Sequence, residues 1–133
     1  MTVERHKNGK RVIRRWDDVF KALSAEPRRQ LIVSLADAPA TQTVSLPESA
    51  INPNAPADPA VLTQELCHRH LPLLADFEFV EWEPDPLVAS RGSRFDEVAV
   101  VFDSLHSAAT DIPDSLVVGC QRLEWEQQLS AED

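Results

Sequence analysis

The chain has 133 residues, 43% of them hydrophobic, and a formal net charge of −9. That length suits one domain with a core of its own and leaves little for a second. No run of about 18 uncharged apolar residues occurs, and the polar start MTVERHKNGKRV has no apolar segment behind its charges, so neither a membrane span nor a secretory leader is expected.

The charge is unevenly distributed. Residues 1–29 hold nine basic groups against four acids, a local +5, while the rest of the chain holds four against eighteen, a local −14. Only three of the thirteen basic residues are lysine. An acid-rich, lysine-poor surface keeps proteins dispersed in concentrated salt, so a salt-loving source is expected. Ten prolines against three glycines predict firm stops between helices rather than glycine hinges.

In chain order, residues 1–11 read as a flexible basic arm. Val12, Trp16, Val19, Phe20 and Leu23 then share one helical face and predict a first helix. Pro27 suits a first helical position, and Leu31, Ile32 and Leu35 continue a stripe to Asp37, giving a second helix. Ser45 with Glu48 forms a capping-box pattern that predicts a short helix over Leu46 to Ile51. The stretch NPNAPADP breaks it, and Asp58 followed by Pro59 opens a fourth helix reaching about Asp76. Leu62, Leu66, Leu73 and Leu74 are expected to face inward there, with Pro72 bending the helix near His68 to Leu71.

FVEWEP and PLVASRGS read as two strands joined around Pro84 to Pro86. After Gly92 a further helix carries Phe95, Val98, Ala99, Phe102 and Leu105 on one stripe. Beyond Pro113 a last helix, to about Leu129, carries Leu116, Val117, Cys120 and Leu123, and the tail 130–133 is expected to fray. The order of helices and hairpin is that of a winged helix-turn-helix domain over residues 12–92, with a C-terminal helical extension over 93–129: mainly α, in the α+β class, with a two-stranded wing.

DDVFKALSAEPRRQLIVSL, from Asp17 to Leu35, resembles the opening of arsenical-repressor-type (ArsR-like) winged-helix regulators. HLPLLADFEFVEW, from His70 to Trp82, resembles the end of the recognition helix and the first wing strand in haloarchaeal winged-helix domains. Together the two segments cover about 32 of 133 residues in the right order. The resemblance implies a cytoplasmic transcriptional regulator that binds double-stranded DNA and touches no membrane, with a protein of the transcription machinery as a further partner. The proline-rich loop is longer than the three or four residues of a tight helix-turn-helix turn.

ELCHRHLPLL brings Cys67, His68, Arg69 and His70 together and raises metal or catalytic chemistry. Cys67 and His70 stand at i, i+3, but a tetrahedral zinc site needs a second pair, which His106 and Cys120 would have to supply from far away. Cys67 and His68 are adjacent on a helix and point about 100° apart, which suits no nucleophile–base pair. No metal, cofactor or catalytic role is expected, and Cys67 and Cys120 are expected to remain reduced.

DNA contact is instead expected from the outward side of the fourth helix: Thr63, Gln64, His68 and Arg69. Gln pairs with adenine, Thr meets a thymine methyl, and Arg holds guanine or phosphate. Arg14, Arg15, Arg28 and Arg29 in the basic N-terminal part, and Arg91 and Arg94 at the base of the wing, are expected to hold the phosphate backbone. A homodimer is expected through the last two helices, by Phe95, Val98, Phe102, Leu105, Leu116, Cys120, Leu123 and Trp125. The alternative reading is a winged-helix protein-interaction module that never touches DNA.

Overall fold

The computed structural model describes residues 2–55, 57–117 and 128. The architecture is mostly helical with one small antiparallel sheet, an α+β arrangement. Helix α1 (Thr2–Ala22) is followed by α2 (Glu26–Asp37), strand β1 (Val44–Ser45) and a 3-10 turn (Glu48–Ala50). Helix α3 (Pro59–Glu65), a π-helical turn (Leu66–His70) and α4 (Leu71–Asp76) run on without a break. Strands β2 (Val80–Pro84) and β3 (Leu87–Arg91), α5 (Phe95–Ser107), a 3-10 turn (Ala109–Asp111) and the short α6 (Asp114–Val117) complete it.

The first helix begins ten residues earlier than its apolar stripe predicts, so the stretch expected to be a loose arm is helical from Thr2. From residue 8 onward only its last turns are packed: Val19 and Ala22, with Leu23 just beyond, are buried, whereas Val12, Ile13, Trp16 and Phe20 stay exposed. Helix α2 buries Leu31, Ile32 and Leu35 as expected. The capping box does not form, and the short helix expected over Leu46 to Ile51 is a single 3-10 turn at Glu48–Ala50. Val44 and Ser45 pair with Ala89 and Val88 of β3 instead, and only the 3-10 turn follows, with no side-chain cap. A strand partner more than 40 residues away outweighs a local cap of about 1 kcal/mol. The third strand is therefore central in the order β1-β3-β2, and the hairpin around residues 84–86 stands where its turn residues place it.

Asp58 caps α3 through its carboxylate, which accepts from the Ala60 N–H at 2.9 Å. Pro72 is accommodated without breaking the helix. The Leu71 N–H reaches five residues back to the Leu66 carbonyl, and the widened turn makes room for a ring that offers no N–H. One extra residue per turn also shifts the inward face: His70 and Leu71 are buried with Leu62, Leu66 and Leu74, while Leu73, expected inside, is only half-buried.

Helix α4 ends in a Schellman arrangement. The Phe79 N–H donates to the Leu74 carbonyl and the Glu78 N–H to the Ala75 carbonyl, each at 3.0 Å, with Glu78 in the left-handed region at φ +64°. Gly92 lies directly against this turn, and a Cβ there would sit 2.4 Å from the Glu78 carbonyl oxygen, so only glycine fits. The core gathers Phe79, Val80, Ala89, Phe95 and Val98 around the leucines of α2, α3 and α4.

Candidate functional site

The outward side of α3 and the π turn presents Val61, Gln64, Glu65, His68 and Arg69, all exposed. The widened turn begins at Leu66, so Val61, Gln64 and Glu65 precede it while His68 and Arg69 lie within it. Thr63 is half-buried and its hydroxyl donates to the Pro59 carbonyl at 2.8 Å, so its methyl is the part left for a partner. Cys67 is half-buried, His68 exposed and His70 buried, and the cluster that stands together in sequence is dispersed around the helix. Among the described residues no group of three or more His, Cys, Asp or Glu side chains is placed to share a metal ion.

Arg28, expected at the phosphate backbone, is in the core with 3% exposure. Its Nε donates to the Ala22 carbonyl at 3.0 Å, one terminal nitrogen to the Lys21 carbonyl and the Ser24 hydroxyl at 3.0 and 2.8 Å, and the other meets His70 Nδ1 at 2.8 Å. The guanidinium thus closes the carbonyl end of α1 and ties it to the π turn. A guanidinium has no lone pair to offer, so Nδ1 accepts and His70 is neutral with its proton on Nε2. Burial, followed by the charges of Arg28 and Arg69, lowers the His70 pKa below its ordinary value.

The other arginines divide into tied and free. Arg29 donates to the Leu23 carbonyl at 2.6 Å and to Glu26 at 2.8 Å. Burial alone would raise the Glu26 carboxyl, but hydrogen bonds from Gln30 and Arg29 outweigh it and hold that pKa below the usual value. Arg91 donates to the carbonyls of Leu35, Ala36 and Ala38, capping the end of α2, which has no basic residue in its own last turn. Arg94 forks onto Glu97, with its nearer oxygen at 2.9 Å, and lies 3.7 Å from Asp18. Arg28, Arg91 and Arg94 are therefore structural cations, and the expectation that they grip phosphate is corrected. Local sequence could not show this for Arg28 and Arg91, whose acceptors lie on distant elements: Arg28 and His70 are 42 positions apart, Arg91 and Leu35 are 56, whereas the Arg94–Glu97 pair stands at i, i+3.

Arg14 and Arg15 remain exposed, with Arg15 3.4 Å from Glu97. No protein-family model, curated protein or solved structure matches the chain. The site accordingly stands on its own geometry. The hairpin beside α4 carries Glu81, Glu83 and Asp85, all exposed, and so offers negative rather than positive charge.

The residues expected at a dimer face are also redistributed. Phe95 and Val98 are fully buried in the chain's own core and are corrected to core residues. Phe102 is half-buried with its ring edge-on to His106, whereas Leu105 and Leu116 are exposed. Cys120, Leu123 and Trp125 lie outside the described residues. The larger exposed apolar strip is on α1, where Trp16 and Phe20 stack with ring centres 5.9 Å apart beside Val12 and Ile13, and Val100 of α5 is exposed as well. No described helix is long and apolar enough to cross a membrane.

Proposed function

We propose that the chain is a DNA-binding transcriptional regulator of the winged helix-turn-helix kind, acting as a homodimer in a salt-rich cytoplasm. The observation that carries this reading is the exposed face of α3 and the π turn, where Gln64, His68 and Arg69 stand free on a helix braced from behind by α2 and flanked by a β-hairpin. A helix held this way, with polar side chains along its outer side, has the form that enters a major groove. The order α2, β1, turn, α3–α4, β2, β3 and the strand sequence β1-β3-β2 support the same reading.

A net charge of −9 opposes the approach of a polyanion. In 1 M salt the screening length is about 3 Å, so acids on remote surfaces are scarcely felt at the α3 face. The exposed strip of Val12, Ile13, Trp16 and Phe20 on α1, with Val100 and Leu105 of α5, favours these helices over the core residues Phe95 and Val98 as the contact between two copies. Regulation then requires no chemistry: occupancy of an operator admits or blocks the transcription machinery.

A second reading, a protein-interaction module that leaves DNA alone, is favoured by the acidic hairpin of Glu81, Glu83 and Asp85. Retention of genomic DNA fragments on the immobilised chain at about 1 M KCl separates the two. Selective retention is expected, and Gln64→Ala is expected to flatten the sequence preference by about 1–3 kcal/mol at one base pair. Retention of no fragment would sink the DNA reading and favour the module.

A further inference from the structure

Between α1 and the start of α5 lies an open groove of about 430 Å³ lined by Arg11, Arg14, Arg15, Asp18 and Arg94. Arg11, Arg14 and Arg15 stand at i, i+3 and i+4, so three guanidiniums share one side of the helix. Arg94, at the N-cap position of α5, completes the wall from a second element. The two carboxylates near them are already engaged: Asp18 lies 3.7 Å from Arg94, and Glu97 is held by Arg94 at 2.9 Å and Arg15 at 3.4 Å. Arg11 and Arg14 have no ion pair among the described residues, and both are exposed. Four arginines against these two acids leave a local +2 on a chain whose total is −9.

We infer that this groove seats backbone phosphates of duplex DNA, at a distance from the base pairs that Gln64 meets. The inference rests on the DNA-binding reading above; it keeps the expected phosphate contacts of Arg14 and Arg15 on α1, adds Arg11 and drops Arg28 and Arg91. Guanidiniums match phosphate oxygens in pairs, and an open groove admits a chain of phosphates rather than a single enclosed ion. Arg94 and its two carboxylates act as the brace, while Arg11 and Arg14 are the free arms.

The groove lies at the far end of the reading helix. The Arg94 N–H donates at 2.8 Å to the carbonyl of Glu78, just past the end of α4, and the helical run back to Pro59 is roughly 25 Å at 1.5 Å per residue. Phosphates held there fall outside the base pairs facing Gln64 and carry no sequence information. A lipid surface is the other polyanion that a basic amphipathic helix can meet. It is disfavoured because such a helix enters a bilayer through its apolar face, and on α1 that face, Val12, Ile13, Trp16 and Phe20, is the one assigned above to the contact between two copies.

The test uses the full chain, its Arg11→Gln/Arg14→Gln double variant and its Gln64→Ala variant. Binding to a random-sequence duplex, and to the best-retained genomic fragment, is followed by fluorescence anisotropy over a KCl series. Both substituted arginines are exposed, so the double variant is expected to melt with the parent. It is expected to bind both duplexes more weakly by the same factor, with the slope of log affinity against log salt smaller by about 0.9 for each phosphate that is no longer neutralised. An unchanged slope overturns the groove while leaving the reading helix standing. Loss of DNA binding in the double variant, with no effect of Gln64→Ala and no sequence preference, supports the groove and overturns the reading helix. If the parent binds no duplex, both fall, and binding to phosphatidylglycerol–phosphatidylcholine vesicles that the double variant lacks assigns the groove to lipid instead.

Discussion

Replacing Arg28 with alanine removes a buried guanidinium that serves four acceptors on three elements. The Lys21 carbonyl keeps the Ser24 hydroxyl, 2.7 Å away, but the Ala22 carbonyl and His70 Nδ1 lose the partners that Arg28 supplies. Two unsatisfied buried acceptors cost about 1–3 kcal/mol each. The space left by the side-chain stem adds to this, and relief from burying a positive charge offsets part of it. The net expectation is a loss of about 3 kcal/mol, or a melting temperature about 10 °C lower for a chain of this size. Thermal unfolding followed by circular dichroism in about 1 M KCl measures it directly. Arg28→Lys is expected to fall between, since one ammonium cannot reach His70 and the end of α1 together. Arg14→Ala, on the exposed side of α1, is the control and should stay within about 0.5 kcal/mol of the parent. A parent-like melting temperature for Arg28→Ala, combined with uniformly weaker DNA binding, would refute the structural role and return Arg28 to the phosphate backbone.

Acidification probes the same pair. The folded state holds the His70 pKa below its unfolded value, so the neutral ring stabilises the fold above about pH 6.5, and this stability declines as the pH falls beneath it. Urea unfolding between about pH 5 and 8 should show that decline in the parent and a flatter profile in His70→Gln; identical profiles would mean that Nδ1 is not the acceptor. The depressed Glu26 pKa acts in a separate and lower window, its stabilisation being lost as the pH falls from the ordinary carboxylate value. Gly92→Ala places a methyl group 2.4 Å from the Glu78 carbonyl oxygen, a collision with backbone that a side-chain rotation cannot relieve. A loss of about 1–3 kcal/mol is expected in thermal melts, and a neutral result would mean that the turn after α4 yields easily.

Periodicity placed α2, the α3–α4 run, the hairpin and α5 close to where they stand, because each buries a stripe that its own spacing announces. It failed where a distant partner decides. The Ser45–Glu48 cap competes with pairing to β3 and loses; Pro72, which bends an ordinary helix, is absorbed by the π turn and moves His70 inside. Phe95 and Val98 look the same in sequence whether they meet this chain's core or another copy.

The candidate site divides in the same way. Gln64, His68 and Arg69 were legible because exposure on a helix follows from its apolar spacing. The arginines were not, since a guanidinium on a long stem serves carbonyls or solvent with equal ease and the choice depends on what folds within reach. Sequence by itself determined α2, the α3–α4 run, α5, the hairpin and the concentration of positive charge at the N-terminal end. Tertiary structure decided which arginines are consumed by exposed helix ends and buried acceptors, and which, Arg11 and Arg14 on the outer side of α1, stay exposed without an ion pair among the described residues. A buried unpaired acceptor costs more than a surface cation gains, so the core takes its arginines first.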